Sequence, residues 1–486
     1  MTFRGCASAV VRGARVQSAR PWVCVGVAAM AIALGAANVC VAGALQKQSP
    51  PAPGAPRNFA VPAPVKSTLS NGLAVSMVPF GQVPKVTIQL VVQAGNTFEQ
   101  ANEIWLADLT GRMLQEGTNA KAADVLARTF ASMGGNLGVS VGSDGVAISA
   151  DVLSDRAPEA VALIAEVVQS PSLPEQALGR IKASLARSLA INRSAPQATA
   201  EEKFDALLYG DHPYGRTFPT EAMLAGYTLQ QVRGYYTRFY GANRARLYVA
   251  GVFDAPAMTR AIAGAFASWR SADPLTMPPA PAPQPRSFAL IDRPHAPQST
   301  VYVGVRVPDP SQPDWLAMQV TDALLGGAFA SRITTNIREQ KGYTYSPNST
   351  VNTHVTSAHW VEVADITTDV TGPAIKEIFA EVERLRREAP SEEELTGIKK
   401  NLAGVFVVSN ASRGGVIAQL VFVDQHKLGD DYLAHYVSNV MSVTAEQVRR
   451  VADRYLAPSA MTLVVVGDTK TVKAQVAPWE QPATVQ

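Results

Sequence analysis

The sequence predicts an α+β protein of two similar domains related by internal duplication, each a largely antiparallel sheet packed by helices. Three observations predict it. The first is repetition. VTIQLVVQAG from Val86 is echoed by VYVGVRVP from Val301, an offset of 215; RIKASL from Arg180 is echoed by GIKKNL from Gly397, an offset of 217. TLQQVRGYYTRFYGANRARLYVAG from Thr228 shares its Thr, Gln-Val-Arg, Arg, Leu, Val and Gly with TAEQVRRVADRYLAPSAMTLVVVG from Thr444, an offset of 216. Two copies are too few for a solenoid, which needs stacked neighbours to bury its core, so duplication of a whole domain is the simpler account. The second is a divider, the Pro-rich stretch Asp273 to Ser287. Proline lacks an N–H and pushes its preceding neighbour to extended forms, so the stretch reads as a linker. The third is a shared order of elements: strands, then helices, then a short apolar strand ending in Gly.

Taken along the chain, residues 1–44 read as an export signal. Arg4, Arg12, Arg15 and Arg20 precede or open an apolar run from Trp22 to Val41, and Ala42-Gly43-Ala44 offers small residues for cleavage. The run also has the length to span a bilayer, roughly 20 residues, so a retained anchor is the alternative. Residues 45–65 form a flexible, Pro-rich lead-in. The first domain, 66–272, opens with Val/Ile-rich runs of strand character. Helices are expected over Ile104–Gln115, Glu159–Val168, Glu175–Asn192 and Leu229–Tyr240, with a closing strand at Leu247–Gly251. After the linker, 273–287, the second domain, 288–470, repeats the plan. Its helices are Trp315–Leu325, Ala374–Arg387, Glu392–Val408 and Ala445–Tyr455, its last strand Leu463–Gly467, and 471–486 is a tail. Ser391 and Glu394 suggest a capping box at one helix start.

Composition narrows function. A chain of 486 residues, 47% hydrophobic and 17% charged, builds large cores and is not globally disordered. Loss of the leader removes four arginines and no acid, which takes the formal net charge from +3 to −1. No basic cluster points to nucleic acid. Cys6, Cys24 and Cys40 all lie in the leader, so the mature chain has no disulfide or thiolate metal site; Asn38-Val39 before Cys40 match lipidation poorly. Of the six histidines, His354 and His359 are five apart in strand-like sequence and are expected on opposite faces, while His212 sits in the turn GDHPYG.

The segment Leu324 to Ser346, LLGGAFASRITTNIREQKGYTYS, carries the chemistry. Arg338 and Tyr345 are seven residues apart. A guanidinium holds a carbonyl by charge-assisted hydrogen bonds, and a phenol stabilises an oxyanion. Read locally, Arg338 followed by Glu339 is equally a salt-bridged helix end, Tyr343 and Tyr345 are equally strand residues, and Gly326-Gly327 close a helix through an αL cap. The whole segment resembles the second-domain signature of insulinase/pitrilysin-type zinc peptidases, and the resemblance extends over about Val65 to Lys470. It implies that Arg338 and Tyr345 bind the substrate carbonyl and its oxyanion. It also implies that Gly326 and Gly327 border substrate, in the place of the longer glycine-rich loop that non-catalytic subunits of that family use.

In the same family two His at i and i+4 share a zinc ion on a first-domain helix, and a Glu between them serves as base. Laid on EIWLADLTGRMLQEGTNA through Met113, Gly117 and Thr118, the His positions fall on Asp108 and Arg112 and the Glu position on Gly111. The third ligand is expected near Arg187 or Ser188, in a stretch from Gln176 to Ala200 that has no Asp or Glu. A zinc site needs three protein ligands or more, so no metal is expected in this chain. Asp108 and Arg112 are expected as an i, i+4 pair, either filling the vacated position or simply exposed. The expected function is a periplasmic, catalytically incomplete subunit that forms a heterodimer or higher assembly with a zinc-bearing insulinase-type subunit and acts on a peptide. Zinc belongs to the partner, and no membrane contact follows signal cleavage. The alternatives are a non-enzymatic scaffold of the same fold and a self-sufficient metallopeptidase with an unorthodox site.

Overall fold

The computed structural model describes residues 61–274, 276–279 and 286–480. The export signal, most of the lead-in and part of the linker lie outside the described residues. The first half runs β1 (Val65–Thr68), β2 (Ala74–Pro79), β3 (Lys85–Val92), α1 (Leu106–Met113), α2 (Ala123–Ser132), β4 (Gly138–Val141) and β5 (Val146–Leu153). It continues with α3 (Ala157–Gln169), α4 (Glu175–Ser194), α5 (Pro196–Tyr209), α6 (Glu221–Gly226), α7 (Leu229–Phe239), β6 (Ala245–Gly251) and α8 (Ala255–Phe266). The second half runs β7 (Phe288–Asp292), β8 (Gln298–Val307), α9 (Trp315–Asp322), two π turns (Ala323–Gly327 and Thr334–Gln340), β9 (Asn348–His354) and β10 (Ser357–Thr367). It ends with α10 (Thr371–Arg387), α11 (Glu392–Ser409), α12 (Arg413–Gln425), α13 (Tyr432–Ser442), α14 (Ala445–Tyr455), β11 (Thr462–Gly467) and α15 (Thr469–Val476).

The duplication is visible in the topology. The first sheet has the order β1-β2-β6-β3-β5-β4 and the second β7-β11-β8-β10-β9. With β1 set aside, the two orders coincide strand for strand. In each, the outer pair (β2–β6, β7–β11) is parallel and the other pairs are antiparallel. Local chemistry explains the regularity. In β3, Val86, Ile88, Leu90 and Val92 are buried and alternate with half-buried residues, the period of a strand with one face on the core. The repeated helices α7 and α14 start alike: Thr228 with Gln231, and Thr444 with Gln447, form complete capping boxes. At Ser391 the box is incomplete. Its hydroxyl accepts from the Glu394 amide, but the Glu394 carboxylate pairs with Arg332 at 2.7 Å.

Each sheet is covered on one face by its own half and on the other by a helix from the opposite half. Both halves lie within one compact unit, residues 56–486. On the second sheet, Ala200, Phe204, Leu208 and Tyr209 of α5 pack with Val361, Val464 and Val466. On the first sheet, Val78, Tyr248 and Ala250 join a core that holds Val416, Ile417 and Leu420 of α12. Polar ties complete the second contact: Tyr248 donates to Asp424 at 2.9 Å, and Arg413 reaches Asp151 at 2.9 Å. Gly304 makes room for α5, since a Cβ there would meet Phe204 Cζ at 2.7 Å. Sequence periodicity anticipated neither α5 nor α12. It also ran α1 from Ile104, although the helix begins at Leu106, and it extended α9 to Leu325 across what is a π turn from Ala323.

Phe204→Ala is expected to cost about 3–5 kcal/mol, because it empties a packed contact between the halves. Urea unfolding followed by circular dichroism measures it, and a loss below about 1 kcal/mol would show that α5 does not weld the halves.

Candidate functional site

Helix α1 carries the positions of the expected metal motif. Its N-terminus is built without a conventional cap. Trp105 takes φ 67°, and the Glu99 carboxylate accepts from the amides of Trp105 (3.1 Å) and Ala107 (2.7 Å). Burial pushes Glu99 up to about 8, and the neighbouring Asp108 adds to the rise. Burial also raises Asp108, against the pull of Asn96, whose side-chain amide donates to it at 2.8 Å, and of Arg112. Arg112 points elsewhere and donates to Ser184 of α4 at 3.1 Å. Among the described residues Asp108 and Arg112 make no direct ion pair. The expected i, i+4 pair is therefore replaced by two separate contacts, because Asn96 is the closer partner for the carboxylate and Ser184 for the guanidinium. Gly111 faces β4, and a Cβ there would meet Val141 Cγ2 at 2.7 Å. On α4, Ser188 bonds back to the Ser184 carbonyl at 3.1 Å.

These residues do not fit a zinc ion. Arg112 places a cation at one ligand position, Ser184 supplies a neutral hydroxyl from α4, and Asp108 is already bonded to Asn96. The position of the base is closed by Val141.

The second candidate site is assembled. The π turn Thr334–Gln340 buries Ile337 and turns Arg338 outward, and Gly342, at φ 64°, reverses the chain. The Arg338 guanidinium lies 4.5 Å from the ring centre of Phe329 and 5.2 Å from that of Tyr345. Its Nε is 3.4 Å from Glu339, so the salt-bridged helix end foreseen from the sequence is present as well. Tyr345 is 78% exposed and Phe329 72%, which is unusual for aromatics that the fold does not use. Tyr343, by contrast, packs against the core. Gly326, Phe329, Thr334, Arg338, Tyr345 and Asn348 line one cavity of about 400 Å³. Gly327 is not among its lining residues. Neither Gly326 nor Gly327 has positive φ, so the expected αL cap is absent. Crowding explains the glycines instead: a Cβ on Gly326 would strike Glu362 and Ser349, and one on Gly327 would meet Asp322 Oδ2 at 2.7 Å.

A larger cavity, about 620 Å³, opens between the halves where the hairpins β4–β5 and β9–β10 approach each other beside α5. Tyr214 donates to Asp144 at 2.7 Å, the Val355 amide donates to the same carboxylate at 3.1 Å, and His354 stacks on Tyr214 at 3.9 Å. His359 bonds Tyr209 at 2.8 Å and Asn352 at 3.1 Å. Burial depresses His354 to about 4 and His359 to about 3, so both are neutral. Burial, with Glu201 behind it, pushes Asp205 up to about 8. The two histidines were expected on opposite faces. The hairpin brings their rings within 6.2 Å and into one cluster, which strand periodicity alone does not reveal.

Comparison with known proteins agrees with this architecture. The family described as Insulinase (Peptidase family M16) matches residues 81–220, and Peptidase M16 inactive domain matches residues 226–402. An uncharacterized zinc protease of Rickettsia felis is 25% identical over 338 residues, covering 69% of this chain and 81% of that protein. One of Rickettsia bellii is 23% identical over 412 residues, covering 82% and 96%. Among solved structures, a peptidase M16 inactive domain from Pseudomonas fluorescens gives a TM-score of 0.78 at 24% identity, covering 84% of this chain and 98% of that chain. A protease from Helicobacter pylori gives 0.79 at 19%, covering 84% and 100%. At these identities the structures show the shared fold.

Gly111→Glu, which restores an acid at the position of the base, is expected to lower stability by about 1–3 kcal/mol through overpacking against Val141. A thermal melt with and without added Val141→Gly checks it: the second change should recover much of the loss, and an unchanged melting temperature in the single variant would contradict the packing.

Proposed function

The chain belongs to the insulinase (peptidase M16) family, and from that premise we propose that it is a catalytically incomplete subunit that completes the active site of a zinc-bearing partner. In this reading the partner is another insulinase-type chain, the two close a chamber around a peptide, and this chain lends Arg338 and Tyr345. The site of action is the periplasm, reached through the export signal.

One observation carries the reading. Arg338 and Tyr345 stand together at an exposed cavity, while the motif positions on α1 present a guanidinium, a glycine and an engaged carboxylate. The chemistry follows from their atoms. Flanked by Phe329 and Tyr345, the guanidinium keeps its N–H edge available for a substrate carbonyl, and that contact sets the register of the peptide. The Tyr345 hydroxyl, on a ring that is mostly exposed, donates to the oxygen that becomes negative as the amide carbon turns tetrahedral. A subunit of this kind binds and orients, and the attacking water is activated elsewhere.

The contact between Arg338 and Glu339 favours a second reading, in which the segment is structural and the chain a scaffold. Tyr345→Phe in a reconstituted two-chain complex separates them. The first reading expects turnover to fall about 10²–10³-fold, the usual effect of losing one oxyanion donor, with assembly unchanged by size-exclusion chromatography. Unchanged turnover would leave the scaffold.

A further inference from the structure

Glu362 is a residue that the fold does not require. β3 and β8 align at an offset of 215, so Ile88 corresponds to Val303. Ala150 stands opposite Ile88 in the first sheet, and Glu362 stands opposite Val303 in the second. One copy of the fold thus places a methyl group where the other buries a carboxyl. Glu362 is 1% exposed, and its carboxyl faces no more than the Asn348 backbone amide, without a well-formed hydrogen bond. Burying a polar group in this way is costly. The second acid, Asp322 at the end of α9, is half-buried; it accepts from Ser349 at 2.6 Å and Trp360 at 2.9 Å. The two carboxyls back onto the two glycines of the π turn 323–327, Glu362 against Gly326 and Asp322 against Gly327. Gly326 and Asn348 are walls of the Arg338–Tyr345 cavity. The acids therefore lie directly behind the surface that Arg338 and Tyr345 share.

We propose that Asp322 and Glu362 are positioning residues of the Arg338–Tyr345 cavity, holding the π turn in place while Glu362 carries a proton. The proposal rests on the reading that this cavity takes a peptide. The charged groups that act on one another here are these two, Asp322 from α9 and Glu362 from β10; Ser349 from β9, Trp360 from β10 and the Asn348 amide are uncharged donors. Burial raises Asp322 to about 6. Burial, and then the charge of Asp322, hold Glu362 well above the carboxylate range. The sign for Asp322 is the same as for Glu362: the folded form favours its protonated state, so its ionisation above about 6 adds to the cost of holding the turn. At alkaline pH, Glu362 ionises behind Gly326 without a cation to meet it, and the wall yields. Because the folded form favours the protonated acid more than the unfolded chain does, Glu362 costs stability progressively as pH rises above its ordinary value of 4.5.

The test is binding of a fluorescein-labelled flexible peptide to the full chain, by anisotropy, from pH 5 to pH 9. The wild type should bind best at the acid end of the range, with affinity falling as pH rises, by at most about tenfold per pH unit for each linked proton. Glu362→Gln should flatten the alkaline fall and raise the melting temperature at pH 8; Asp322→Asn, which removes the charge facing Glu362, should make the fall shallower. Wild-type and Glu362→Gln profiles that superimpose would overturn the proposal. If peptide binding is absent at every pH, the reading of the cavity fails separately, and hydrogen exchange of residues 323–327 still decides the proposal. Protection that falls at alkaline pH in the wild type but not in Glu362→Gln supports it, and equal protection contradicts it.

Discussion

Two helices, each packed on the sheet built by the other half, hold this molecule together. α5 lies on β8 and β11, and α12 lies on β6 and β3. A strand pair that exposes one apolar face needs a cover, and each half supplies the cover for the other. This fixes how the hairpins β4–β5 and β9–β10 meet through Asp144, Tyr214 and Val355, and so creates the cavity between the halves. Apolar side chains dominate the α5 contact, while the α12 contact adds Arg413–Asp151 and Tyr248–Asp424.

On that frame the two copies of the domain have diverged in opposite directions. In the first, α1 is closed down: Gly111 is pressed against Val141, Arg112 is tied to Ser184, and Asp108 is held by Asn96. In the second, the corresponding part of the chain opens into two π turns. These expose Phe329 and Tyr345 around Arg338 and leave an acid pair, Glu362 buried and Asp322 half-buried, behind Gly326 and Gly327. A packed helix and an open segment suit different tasks. In the proposed reading, the second half is the one that offers donors to a peptide.

Much of this was legible in the residues, for reasons that also explain what was not. The duplication, the sheets and helices such as α14 follow from patterns of period 2 or 3.6, supported by capping residues. α5 and α12 escaped because each meets a flat sheet face through a narrow row of side chains. α12 also opens with Gly414-Gly415, which reads as a loop. A Cβ at Gly415 would in fact collide with the Ser409 carbonyl in the tight turn from α11. Arg338 and Tyr345 were found through the resemblance of one local segment, Leu324 to Ser346, to the family signature. Glu362 was invisible. In WVEVADIT a polar residue between valines suggests a solvent face, but β10 is covered on both sides and alternation loses its meaning there. The pairing of His354 with His359 needed the hairpin turn, which spacing alone does not supply.

The central claim is that this chain offers groups for a scissile amide but has no means of its own to activate water. Peptide hydrolysis by the purified chain, alone and mixed with a zinc-bearing insulinase-type chain from the same cell, with zinc content measured on each, tests it most directly. The account predicts no cleavage and less than about a tenth of an equivalent of zinc for the chain alone, a sparing occupancy consistent with too few ligands, and cleavage once the two are combined. An equivalent of tightly bound zinc in the chain alone, together with chelator-sensitive cleavage, would contradict it.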